Sequence, residues 1–362
     1  MEASDERTVK RMRNRHGGNI YDHEGFLDFS SNINPFPVPE QIRKAGKEAL
    51  NRMNCYPDPE CLLLRKEIAK KVSQNGLQLQ EHYILCGNGA ADLIYSLCSA
   101  IMPKEALLVA PSFSEYELAL HFCHTRIRYY NLKEEYDFQV QEDLLESIHE
   151  KLSVLFLTVP NNPTGKLIEP ELLQRIIKRC VEYNIYCVID ESFLDFTDEE
   201  SSVYRTFQDH HQRQLVCYLR SFTKMYAMAG VRLGFLISGN ETLLERIRES
   251  RQPWGVSLIA QEMGLAALSQ EGFVTDTRKR IAEERMFLQE SMKKLGIRVV
   301  PSEANFIFFQ TEEDFAEKLM EENILVRDCS NFSGLTKGWF RVAVRTQEEN
   351  RRLIEAMERQ RQ

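Results

Sequence analysis

With 362 residues, 43% of them hydrophobic, the chain can build a sizeable core and exceeds one average domain, so one large and one smaller unit are expected. The net charge of −8 argues against a general nucleic-acid binder. No apolar run approaches the ~20 residues that span a bilayer, and the charged opening Met1-Glu2-Ala3-Ser4-Asp5-Glu6-Arg7 has no apolar centre, so it does not read as a signal peptide. The nine cysteines show no CxxC pair, and Cys86, Cys98, Cys180, Cys187 and Cys217 sit among apolar neighbours and read as reduced core residues, which makes the cytoplasm the expected location.

The first 36 residues are rich in Gly, Asn and Pro and read as an arm. Residues 37–254 read as the large unit. Its runs 83–86, 106–110, 154–159, 186–189, 216–219 and 233–237 are nearly continuously apolar, the pattern of strands buried on both faces. Between them, 91–102, 115–123 and 170–183 repeat apolar residues at helical spacing. Strand, helix, strand in this rhythm predicts an α/β fold with a mainly parallel sheet covered by helices. From 255 to 362 the texture changes: helices over 257–268, 272–295, 313–322 and 347–358, with strands at 297–300, 305–309, 324–326 and 339–344, predict a smaller α+β unit.

Ligands of such sheets sit at the carboxyl ends of the strands, and the chemically capable residues are read as falling at or just after predicted strand ends. Gly87-Asn88-Gly89-Ala90 follows the first run and opens a helix, where close backbone approach and free N–H groups suit a phosphate. Phe113 follows the second run and can stack on a flat heterocycle or simply fill the core. Asn162, in Asn161-Asn162-Pro163-Thr164-Gly165, can donate its amide to a phenolic oxygen. Asp190 ends an apolar strand, where a carboxylate is costly unless paired; a protonated pyridine nitrogen pairs it. Ser221 and Thr223 offer hydroxyls and Arg232 a guanidinium fork to a phosphate, and Lys224 offers the amine that bonds an aldehyde. In this order the set is that of a pyridoxal 5′-phosphate (PLP) site.

From about residue 16 to 358 the chain resembles the fold-type I PLP enzymes, in the branch that contains histidinol-phosphate aminotransferase. Within that branch it is most similar to the L-threonine-O-3-phosphate decarboxylases of cobalamin biosynthesis. The similarity is carried by His16-Gly17-Gly18-Asn19, Asp28-Phe29-Ser30-Ser31-Asn32-Ile33-Asn34-Pro35, Asp190-Glu191-Ser192-Phe193-Leu194-Asp195-Phe196, Val326-Arg327-Asp328-Cys329-Ser330-Asn331-Phe332 and Trp339-Phe340-Arg341-Val342-Ala343-Val344-Arg345. The resemblance implies that Lys224 carries PLP, Asp190 and Asn162 tune its ring, Phe113 stacks on it, and Gly89, Ala90, Ser221, Thr223 and Arg232 hold its phosphate. It further implies a homodimer in which Tyr56 reaches the neighbouring subunit's cofactor. Arg341 would take the substrate carboxylate, and Arg327 with His16, Ser30 and Asn32 the substrate phosphate. The implied reaction turns L-threonine O-3-phosphate into (R)-1-aminopropan-2-ol O-phosphate, with serine phosphate as a competing substrate.

Phe193 departs from the tyrosine that many aminotransferases of the branch carry there, and the decarboxylase group commonly has Phe. Histidinol-phosphate aminotransferase is the nearest rival reading. A PLP-fold regulator is the rival of another class, and no helix-turn-helix-like segment precedes residue 16. His121 and His124, read as i, i+3 on a helix, and His210-His211, read as a polar loop, lack partners at ligand spacing, so no metal site is expected.

Overall fold

The computed structural model describes residues 16–73, 77–198 and 200–361. The charged first residues, read from sequence as the start of an arm without a signal peptide, lie outside them. After a short strand, β1 (Leu27–Asp28), the chain builds a seven-stranded sheet from β2 (Ile84–Gly87), β3 (Glu105–Ala110), β4 (Arg126–Asn131), β5 (Val154–Thr158), β6 (Tyr186–Asp190), β7 (Val216–Ser221) and β8 (Gly234–Ser238), in the order β2-β8-β7-β6-β5-β3-β4. From β4 to β7 every pairing is parallel, and β8 runs antiparallel to both its neighbours.

The continuous apolar runs follow from a sheet with a core on each face. Leu107, Leu155, Cys187 and Tyr218 belong to one buried cluster, while Leu108, Phe156, Val188 and Cys217 belong to the other. Successive side chains point to opposite faces, so a strand with cores on both sides needs an apolar residue at every position.

The sequence Arg126-Ile127-Arg128-Tyr129-Tyr130-Asn131 lacks such a run, and β4 went unread for that reason: it is the sheet edge, largely exposed, and charged side chains suit an edge. The helix Leu258–Leu268 packs against helices Glu40–Leu50 and Leu62–Val72, with Gly46 beside the Met263 side chain and Gly264 beside Leu233 and Leu64.

A second, antiparallel sheet has the order β12-β13-β10-β9, formed by β9 (Arg298–Val300), β10 (Phe306–Gln310), β12 (Arg327–Asp328) and β13 (Trp339–Ala343). The strand expected at 324–326 divides. β11 (Ile324–Leu325) pairs parallel with β1 of the arm, and the chain then crosses to place Arg327 opposite Arg341 in the second sheet. The histidine expectations need two corrections. His124 lies beyond the helix Ser114–Phe122 with φ +55°, so His121 and His124 do not share a helical face. His210 and His211 open a short helix capped by Asp209, whose side chain accepts from the His211 and Gln212 N–H groups. Among the described residues no helix is long and apolar enough to cross a membrane, and no group of three or more His, Cys, Asp or Glu could hold a metal ion.

Candidate active site

Strand direction gathers the site. β5, β6 and β7 run parallel and end together at Thr158, Asp190 and Ser221. Arg232 precedes a strand instead of following one. It still reaches the same edge, because β8 is reversed and its first residue, Gly234, is paired with both Ser221 and Gly87.

At that corner the backbone forms a cradle. Gly89 has φ +82°, and a Cβ there would lie 2.5 Å from the Arg232 guanidinium. Helix Gly89–Ile101 starts at this point, and Asn88 gives it no side-chain cap, so its first N–H groups, that of Ala90 included, have no side-chain acceptor. The Ser221 and Thr223 hydroxyls lie 2.7 Å apart, and Ser221 Oγ also accepts from the Thr223 N–H. Arg232 is exposed, and one Nη donates to the Ala229 carbonyl at 2.9 Å. Uncapped N–H groups, two hydroxyls and a guanidinium are the donor set of a phosphate monoester.

Gly234 is what lets β8 approach: a Cβ there would meet the Ala90 nitrogen at 2.8 Å, the Arg220 carbonyl oxygen at 2.9 Å and the Gly89 carbonyl carbon at 3.0 Å, all backbone atoms. Gly234→Ala is therefore expected to push the cradle off the strand, lowering stability by about 1–3 kcal/mol and weakening PLP binding. A thermal melt paired with a PLP fluorescence titration checks both.

Next to the cradle lies Asp190, 4% exposed. Its Oδ2 accepts from the Tyr116 O–H at 2.7 Å and its Oδ1 from the Ser192 N–H at 2.9 Å. Tyr116 O–H also lies 3.0 Å from Thr158 Oγ1. Burial pushes the Asp190 carboxyl above its ordinary range, against those hydrogen bonds and the nearby Lys224 charge. A cationic ring nitrogen is the partner such a carboxylate lacks. Asn162 is buried, and its Oδ1 is engaged by an Arg341 Nη, which leaves the amide NH₂ as a donor. Phe113 stands at the N-cap position of helix Ser114–Phe122, partly buried, with its ring packed against the core cluster on that face of the sheet.

Lys224 follows Ser221 on a short helical turn whose carbonyl is tied to the arm: Asn34 N–H donates to the Lys224 carbonyl at 3.1 Å, and Asn34 Nδ2 to the Met225 carbonyl at 2.6 Å. Burial, then the charges of Arg341 and Arg232, lower the amine to about 8, with Asp190 opposing. Lys224 Nζ sits 5.7 Å above the Phe193 ring. A pocket opens beside it, and His16, Ser30, Asn32, Asn162, Arg327 and Arg341 all line it.

Arg327 and Arg341 are cross-strand partners, 7% and 6% exposed. Like charges in that relation oppose folding, and each guanidinium is tied to its surroundings by hydrogen bonds. Arg341 donates to Asn162 and, at 2.9 Å, to the Ser30 carbonyl; Arg327 donates to the Asp328 carbonyl and, at 2.8 Å, to Asn331 Oδ1. Arg341 Nε and Asn32 Oδ1 are buried without a partner. Burial lowers both arginines, Arg341 to about 10. Ser30 Oγ accepts from the Gly18 N–H at 2.7 Å and donates to Asp28 Oδ1 at 2.5 Å, which pins the His16-Gly17-Gly18 turn.

Tyr56 is not in this pocket. It is 78% exposed and stacks on Trp254 at 4.6 Å. Sequence reasoning missed Tyr116, Ser192, Asn34 and Asp28, whose work depends on neighbours distant in the chain; Glu115, with its carboxylate on His16, was missed as well. An Asp two residues before Ser30 was the one signal available, as a turn-forming pattern.

This donor set fits PLP, and the comparisons agree. The family model for aminotransferase class I and II matches residues 24–357. Threonine-phosphate decarboxylase of Salmonella typhimurium is 34% identical over 354 residues, 94% of this chain and 95% of that protein. Among solved structures, the histidinol-phosphate aminotransferase of Clostridium acetobutylicum superposes with a TM-score of 0.85 at 26% identity, covering 92% of this chain and 99% of that one. The L-threonine-O-3-phosphate decarboxylase of Porphyromonas gingivalis superposes at 0.80 with 24% identity, covering 92% and 98%, and at that identity shares the fold. The chain belongs to the class I and II aminotransferase family and is a PLP-dependent enzyme with the fold-type I architecture.

Proposed function

We propose that this enzyme decarboxylates L-threonine O-3-phosphate, releasing CO₂ and (R)-1-aminopropan-2-ol O-phosphate, a building block of the cobalamin nucleotide loop. The observation that carries the reading is the buried cross-strand pair Arg327 and Arg341 in one pocket with Lys224. Two guanidinium groups on neighbouring strands of one pocket suit a small substrate with an anion at each end. The 34% identity to the Salmonella decarboxylase supports the same reading.

PLP supplies an electron sink for a bond broken at the α carbon of an amino acid. Lys224 would be the residue that bonds it, Asp190 would pair with its ring nitrogen, Asn162 with its phenolic oxygen, Phe113 would stack on its ring, and Gly89, Ala90, Ser221, Thr223 and Arg232 would hold its phosphate. Arg341 holds the substrate carboxylate with its fork, and Arg327, His16, Ser30 and Asn32 hold the substrate phosphate. Fixing both ends decides which α-carbon bond is aimed for cleavage. An amine held at about 8 can give up and recover a proton near neutral pH, which suits Lys224 Nζ to returning a proton to the α carbon, a role open also to a water or a tyrosine.

Phe193 favours decarboxylation over the aminotransferase reading, since its ring, 5% exposed and packed edge-on against Phe306 at 5.1 Å, offers no hydroxyl to a cofactor. Serine phosphate differs by one methyl group, worth about 1–3 kcal/mol in a pocket. The exposed Tyr56, with Met53 at 77% and Leu63 at 59%, supports a homodimer in which Tyr56 serves the neighbouring site. Nine free cysteines, seven of them buried, suit a reducing cytoplasm.

The deciding experiment incubates the holoenzyme with phosphothreonine, phosphoserine, or histidinol phosphate plus 2-oxoglutarate, and measures CO₂, amine phosphate and glutamate. CO₂ with amine phosphate from phosphothreonine is expected; glutamate without CO₂ would sink the proposal. In the same assay Arg327→Ala is expected to raise KM for phosphothreonine on the order of 10–100-fold, the loss of a charge-assisted hydrogen bond, with PLP absorbance intact.

A further inference from the structure

Glu115 has no part in the roles assigned above, yet its carboxylate meets His16, which lines the substrate pocket. Glu115 lies in the first turn of helix Ser114–Phe122, two residues past Phe113. Its side chain is 14% exposed, and both carboxylate oxygens are engaged. Oε1 lies 2.7 Å from His16 Nε2, and Oε2 accepts from the Tyr95 O–H at 3.1 Å. Tyr95 belongs to helix Gly89–Ile101, whose amino end forms the phosphate cradle. The acid is therefore braced from the cofactor side and presents its other oxygen to the imidazole.

His16 needs such a brace. It lies on a stretch without regular structure, and its side chain is 50% exposed. Its ring is located by Glu115 and by the Phe113 ring, 5.9 Å away between centroids. With Nε2 turned to Glu115, Nδ1 is the nitrogen left for a ligand. A carboxylate only accepts, so the Nε2 hydrogen stays in place, and Nδ1 can donate to an anion only in the doubly protonated ring.

We infer that Glu115 is a positioning residue for the phosphate end of the substrate: it aims His16 into the pocket and supplies its counter-charge, with Tyr95 holding the carboxylate in place. This rests on the reading of a phosphorylated amino acid as substrate. It also predicts a sign opposite to simple electrostatics. An acid near an anion site that did nothing else would repel the anion, and its neutralisation would tighten binding. A positioning acid weakens binding when neutralised.

The test uses the holoenzyme and the variants Glu115→Gln, His16→Asn and the double variant, with the PLP absorbance band as a check that each is folded and loaded. Phosphothreonine is the ligand and unphosphorylated threonine the control, followed by spectral titration and steady-state kinetics. Each single variant is expected to raise KM for phosphothreonine about 10-fold, the scale of one charge-assisted hydrogen bond. The double variant should be no worse than His16→Asn, kcat should change far less than KM, and threonine binding should not move. A Glu115→Gln enzyme that binds phosphothreonine as well as or better than the native one overturns the inference, as does a double variant whose losses multiply. A native enzyme that responds to threonine and phosphothreonine alike, with no gain from the phosphate, overturns the substrate reading as well.

Discussion

Lys224→Ala is expected to give a folded protein without turnover and without covalently held cofactor. The fold should survive because the lysine is a liability to it. Its amine sits among Arg341 and Arg232, and burial together with those charges lowers it from 10.5 to about 8. Removing the side chain relieves repulsion and, among the described residues, breaks no side-chain hydrogen bond; the Asn34 tie is to the residue 224 carbonyl, which alanine keeps. The loss in kcat should be at least about 10³-fold, as for removal of a covalent nucleophile. Borohydride treatment of the PLP-loaded protein followed by intact mass checks this without relying on activity: the native chain gains one pyridoxyl phosphate adduct at Lys224 and the variant gains none. The lowered amine adds a pH dependence. The neutral form reacts with an aldehyde, so the rate at which native apoenzyme takes up PLP should rise with pH through about 8 and level off above it. A fully active alanine variant, or uptake that falls across that range, would end the case for Lys224.

The sequence made the scaffold legible where a single physical cause acted alone. Six of the seven large-sheet strands were readable because cores on both faces demand unbroken apolar runs, and β4 was not because an edge makes no such demand. Asp190 was readable because a carboxylate closing a buried strand is expensive without a partner. Tyr116 was not, since a tyrosine on a helix gives no sign that its hydroxyl will meet a strand end 74 residues on. The facing of Arg327 and Arg341 depended on the β12–β13 register, and the break between β11 and β12 depended on the arm offering β1 as a partner. Glu115 was read only as part of a helix because its charge acquires meaning through His16, 99 residues earlier in the chain. What escaped the sequence was pairing across distance, and that is where the proposed substrate end of this site is built.

Asp190→Asn tests the cofactor end with an almost isosteric change. Asp190 accepts on both oxygens, from Tyr116 and from the Ser192 N–H, and it must be ionised to pair with a cationic ring nitrogen. An amide can keep its oxygen on the Ser192 N–H and turn its NH₂ to Tyr116, whose hydroxyl then accepts from it and donates to Thr158 Oγ1, so the change costs the fold little. It leaves the ring nitrogen without a counter-charge, so its proton is lost and the electron sink weakens. The expected result is a loss on the order of 10²–10³ in kcat, the scale of removing one preorganised charge partner. Thermal melts separate this loss from any cost to the fold. In the native protein, burial raises the Asp190 carboxyl, so its charge is a cost that a bound cation offsets. PLP should therefore raise the native Tm clearly, by the linkage of about 2.7 kcal/mol at a ligand concentration of 100 Kd. In the asparagine variant that increment should shrink while the cradle of Gly89, Ser221, Thr223 and Arg232 still binds the phosphate. An equal Tm gain in both proteins, with kcat unchanged, would remove Asp190 from the ring nitrogen and leave its burial to be explained by Tyr116 and Ser192 alone.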